Sequence, residues 1–135
     1  MELHSYFETY QGLGVLSTAD RQGRVDAAVY ARPRFLPDGR LAMIMRERLT
    51  YSNLRDNPHA VYLFLQQAPG YQGVRLYLYK VGEDDNPQLL QQLTRRSLTP
   101  EEDAAAGPKH IVYFRLERAL QLIGAEPWAD GRPQE

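Results

Sequence analysis

Apolar positions recur along the chain in short runs bounded by turn residues. Helical spacing comes first: Leu3, Tyr6, Phe7 and Tyr10 in "ELHSYFETYQ" predict one amphipathic helix, with Gly12 as its stop. "GVLSTA" is short and rich in β-formers, and "DRQG" after it is a turn, so a hairpin is expected. Its return strand is "RVDAAVYARPRFL", with an edge or a bulge at Pro33 because proline cannot donate to a ladder. "PDG" ends that run, and "RLAMIM" is apolar throughout, as a strand buried on both faces would be. "TYSNLRDNP" reads as a short helix capped by Thr50 or Ser52 and ended by "NP".

"HAVYLFLQQ" and "VRLYLYKVGE" are two further strands. In the second, Val74, Leu76 and Leu78 alternate with Arg75, Tyr77 and Tyr79, so its two faces are used differently. Leu89, Leu90 and Leu93 repeat with helical spacing, and Thr99 before Pro100 starts another helix that Gly107 and Pro108 stop. "KHIVYFRLERALQLIG" closes the pattern as one long strand or a bent pair. Six or so antiparallel strands with small helices inserted predict a mainly β fold, a barrel carrying helices.

With 135 residues the chain is expected to form a single domain over 1–135, its polar tail 129–135 flexible. Sixteen basic residues against seventeen acidic ones give a formal net charge of -1, without the excess expected of a nucleic-acid binder. There is no cysteine, hence no disulfide or thiolate metal ligand. No apolar run approaches the ~20 residues needed to cross a bilayer, which predicts a cytoplasmic protein without a membrane partner.

His4, His59 and His110 are scattered singly, and no metal site is expected. Ser5, Ser17, Ser52 and Ser97 lack a nucleophile motif, and "GLG" at Gly12 to Gly14 does not open a dinucleotide fingerprint. What remains is cationic and hydroxyl groups at strand ends: Arg32, Arg34, Arg46, Arg48 and Thr50, then Gln66 and Gln67. Arginine forks suit phosphate oxygens and amides suit a heteroaromatic edge, which together describe a phosphorylated heterocycle lying across the barrel. Solvated strand ends and an ordinary capped surface helix are the bland alternative.

Three segments carry a resemblance. "GVLSTADRQGRVDAA", "DGRLAMIMRERLTYSNLRDNPHAVYLF" and "YQGVRLYLYKVGE" resemble, in order, pieces of the FMN-binding split-barrel proteins related to pyridoxamine 5'-phosphate oxidase, over about Gly14 to Val81. The resemblance implies a six-stranded antiparallel split barrel that binds FMN non-covalently at a homodimer interface. It places Arg32 or Arg34 near the phosphate and the backbone of Met43, Ile44 and Met45 along the ring; Arg46 and Asn53 are further candidate cofactor-binding residues. Gln66 or Gln67 would approach the ring, and Trp128 would cover it from the partner chain. Where the family commonly has serine, any residue and lysine, this chain has Arg48, Leu49 and Thr50, so that arginine and threonine take over the phosphate contact. The tail after "LIGAEPW" is too short for the oxidase's own substrate site. The implied function is a flavin-dependent oxidoreductase acting on a small molecule. A non-catalytic electron carrier or redox sensor, a deazaflavin in place of FMN, and a haem-binding relative remain the alternatives.

Overall fold

The structure is a computed structural model that describes residues 1–94 and 98–129. The tail beyond 129, expected to be flexible, lies outside the described residues. The helix α1 (Leu3–Thr9) is followed by β1 (Gly12–Ala19), β2 (Val25–Val29), β3 (Arg34–Phe35) and β4 (Leu41–Arg46). After them come α2 (Leu49–Asp56), β5 (His59–Gln66), β6 (Gly73–Asp84), α3 (Pro87–Leu93), α4 (Pro100–Ala105) and β7 (Lys109–Gln121). The seven strands form one antiparallel sheet in the order β2-β1-β5-β6-β7-β4-β3.

The predicted second strand is two strands. Residues 25–29 pair with β1, whereas Arg34 and Phe35 pair with Ala42 and Leu41 on β4. The break falls beside Pro33, whose missing N–H could not have continued a ladder. One short run therefore supplies both edges of the sheet, and the sheet is curled so that these edges approach each other. The count becomes seven strands rather than six because of this break.

Alternation puts Leu16, Tyr62, Phe64, Leu76, Leu78, Val112 and Phe114 on the inner face, where Leu41, Met43 and Met45 join them in one core. Tyr6 and Phe7 of α1 close one end of that core, and Leu54 of α2 enters at the other. β4 is buried on both faces, as its unbroken apolar run predicts: Leu89, Leu90 and Leu93 of α3 cover Ala42 and Ile44 from outside.

The last helix behaves as its sequence predicts. Thr99 caps α4 in a reciprocal capping box with Glu102. At α2 the expected cap is corrected. Arg48 is the N-cap residue and accepts the Ser52 N–H at 3.0 Å, so Thr50 and Ser52 already lie inside the helix. Among the described residues no side chain caps the first turn, and the helix ends at Asn57 before Pro58 as predicted.

Candidate functional site

The split between the two edges of the sheet is the place to look for a ligand. β4 is paired by β7 along one side, but on the other side β3 reaches only Leu41 and Ala42. Among the described residues no strand pairs the edge from Met43 to Arg46. A strand edge with free N–H and C=O groups is a ready partner for a flat polar heterocycle or another strand. The side chains of Met43 and Met45 point into the core, so their contribution here is backbone, while Ile44 faces α3.

Tyr30 sits at the bend between β2 and β3. Its backbone N–H donates to the Gly14 carbonyl at 3.0 Å, and its carbonyl accepts the Tyr62 hydroxyl at 3.2 Å. Its ring packs on the core and its phenol lies near the Thr50 hydroxyl and the Arg48 charge. Burial pushes the Tyr30 pKa up, and Thr50 and Arg48 pull it partly back. Thr50 is buried, while Arg48 is exposed and makes no ion pair among the described residues. An uncapped helix start, an uncompensated guanidinium and two hydroxyls thus meet at the mouth of the split. That combination favours an anion.

Arg34 stands where β3 leaves β4, and its Nε is buried without a hydrogen-bond partner among the described residues. A buried donor left unpaired costs free energy that a ligand acceptor would recover. It borders the same unpaired edge.

The remaining predicted contacts are engaged elsewhere. The Arg32 guanidinium donates to the Phe7 and Tyr10 carbonyls at 2.8 and 2.7 Å, fastening the end of α1. Arg46 clamps α4 through the Asp103 carboxylate at 2.8 Å and the Gly107 carbonyl. Asn53 is buried and donates to Thr18 Oγ1 at 3.1 Å, tying α2 to β1. Gln66 accepts the Tyr6 hydroxyl at 2.8 Å, Gln67 is exposed with its N–H on the Gln11 carbonyl, and Trp128 packs edge-on against Tyr6 of its own chain at 5.4 Å. Arg32, Gln66, Gln67 and Trp128 therefore gather around α1, at the opposite end of the barrel from Arg48 and Thr50.

Two residues of this region were not singled out from sequence. Tyr30 carries no motif, being one aromatic in a strand-like run. Arg55 lies one and a half to two turns along α2 from Arg48, and the two line one cavity of about 320 Å³ with Glu47, Tyr51 and Ser52. Their shared face was readable from their spacing of seven.

No family model matches the chain, and no curated protein matches it in sequence. Solved structures do match. An FMN-binding protein from Syntrophomonas wolfei subsp. wolfei superposes with a TM-score of 0.72 at 19% identity, over 90% of this chain and 84% of that one. The chain has the split-barrel fold. An F420 reductase shares this split barrel with a TM-score of 0.67 at 14% identity, covering 88% of this chain and 97% of its own. So does a Lactobacillus delbrueckii protein provisionally assigned as a pyridoxamine 5'-phosphate oxidase, with a TM-score of 0.64 at 13% identity over 89% and 92%. No helix among the described residues is long and apolar enough to cross a membrane.

Proposed function

We propose that the protein binds FMN in the split and serves as a flavin-dependent oxidoreductase for a small molecule. The observation that carries the reading is the unpaired β4 edge running into the Arg48–Thr50–Tyr30 cluster. The residues present fit the cofactor: backbone groups without a strand partner among the described residues suit the ring's polar edge, and a helix start beside an arginine that makes no ion pair among them suits its phosphate. The unpaired Arg34 Nε is a further donor on the same edge. The fold neighbours that bind FMN or act on F420 lend the reading weight.

FMN, when bound, supplies hydride and single-electron transfer, so no side chain need act as nucleophile. The chain's own part is binding and orientation. Arg48 draws in the phosphate, Thr50 and Tyr30 fix the entry of the groove, and the β4 backbone holds the ring's orientation.

A homodimer belongs to the same proposal. Val25 and Val29 are 84% and 70% exposed, and Leu13 is 51% exposed. By register they share the outer face of β2, β1 and β5 with Val15, Val61, Leu63 and Leu65. Such a face is what a second copy buries, with the flavin between the two chains. On the same sheet Arg118 and Arg115 lie over the rings of Tyr77 and Tyr79, at 4.3 and 4.7 Å, as a polar rim.

The test is the absorbance spectrum of purified protein after adding FMN and removing the excess. Retained flavin bands, bleached anaerobically by a reduced nicotinamide, are expected. A colourless protein refutes FMN binding, and a holoprotein that no donor reduces refutes the oxidoreductase.

A further inference from the structure

The cavity along α2 is larger than a single phosphate and is lined by two arginines and one carboxylate. Arg48, Ser52 and Arg55 are spaced by four and three residues, so they line one face of the helix. Among the described residues neither arginine makes an ion pair: the one carboxylate lining the cavity, Glu47, bonds His110 Nε2 at 2.7 Å, Asp56 pairs with Arg21 at 3.3 Å, and the Arg55 guanidinium has only the Ser52 hydroxyl at 3.5 Å among its described hydrogen bonds. Tyr51 forms a fixed wall: its ring stacks on His110 at 4.6 Å and 17°, and its hydroxyl donates to Glu83.

We propose that the ligand anchored at Arg48 carries a second anionic group beyond its first phosphate, as a diphosphate does, and that Arg55 with Ser52 holds this second group. The proposal rests on the reading of a phosphorylated flavin in the split. Seven residues of helix separate the two arginines by about 10 Å along the axis at 1.5 Å per residue. One phosphate satisfies one guanidinium fork, while a diphosphate or a phosphate joined to another acid reaches both. Two guanidinium groups face the cavity against one carboxylate, Glu47, and an extended anion balances the remaining positive charge.

The experiment measures affinities of FMN and FAD for wild-type protein and for Arg55→Ala, with inorganic phosphate and pyrophosphate titrated in parallel by calorimetry. Wild-type protein is expected to bind FAD at least about tenfold more tightly than FMN, and pyrophosphate more tightly than phosphate. Arg55→Ala should bring both ratios close to one. Adding free phosphate to FMN should not reproduce the FAD affinity, because the second anion belongs to the same ligand. FAD no tighter than FMN together with pyrophosphate no tighter than phosphate overturns the proposal, as do ratios that Arg55→Ala leaves intact. If no flavin binds but pyrophosphate keeps an Arg55-dependent advantage, the flavin reading fails while the two-anion site stands.

Discussion

Tyr6→Phe removes one buried oxygen and nothing else, which makes its consequence calculable. The lost hydroxyl is the donor to Gln66 Oε1 at 2.8 Å, and Gln66 is 8% exposed, so its carbonyl oxygen loses a partner that water cannot replace. An unsatisfied buried acceptor costs about 1–3 kcal/mol. At roughly 2.1 cal/mol/K per residue, unfolding 135 residues carries about 0.28 kcal/mol/K, so the melting temperature should fall by about 4–11 °C. Gln66→Leu should cost a similar amount by stranding the Tyr6 hydroxyl instead. The double variant removes both polar partners and should lose much less than the sum of the two single losses. Thermal melts at fixed protomer concentration measure all three, and FMN affinity is read on the same samples. Additive losses would refute the pairing. A Gln66→Leu protein that melts normally but loses FMN would show that the ligand extends to the α1 end of the barrel.

Other expectations follow from the same geometry. Arg48→Ala should weaken FMN binding by about tenfold or more, the worth of one charge-assisted hydrogen bond, in a salt-dependent way, while the melting temperature of the unliganded protein stays unchanged. A Cβ added at Gly14 would strike the Tyr62 hydroxyl and lie 2.6 Å from the Tyr30 carbonyl oxygen, so Gly14→Ala should cost about 1–3 kcal/mol in denaturant unfolding and displace Tyr30. Arg46, and after it Lys109, hold the Asp103 carboxyl below the usual carboxylate range. Its depressed pKa means that its hold on α4 is complete above about pH 4 and is lost as pH falls through the folded value. Protease cleavage within α4, which buries no side chain, should rise in acid, and Asp103→Asn should produce that cleavage at neutral pH. Burial, with the nearby Tyr10, pushes the Tyr6 phenol up to about 12, so its ultraviolet ionisation step should come after those of exposed tyrosines.

Local pattern was enough for nearly every element. The alternation of Val74, Leu76 and Leu78 fixed which face of β6 turns inward, and Leu89, Leu90 and Leu93 announced the helix that buries the outer face of β4. What could not be read locally was which strand neighbours which, since β1 pairs with β5 and β4 with β7 across long stretches of chain. The break at Pro33 was half legible: proline forbade a continuous ladder, but only the curl of the sheet made its two halves choose opposite edges. The surroundings of the candidate site residues were illegible for a related reason. Arginine type and position pointed to Arg48, yet Arg32 and Arg46 look the same in sequence and are consumed by carbonyls that α1 and α4 bring to them.

The place of β7 also orders the history of each molecule as it is made. It pairs β6 on one side and β4 on the other, so it is the seam that joins the two parts of the sheet. Until residues 109–121 leave the ribosome, the two-residue β3 is the only strand that can pair with β4, and most of its ladder stays unpaired. Closure is therefore a late, long-range step, and the interval before it is when the nascent chain most needs a chaperone's cover.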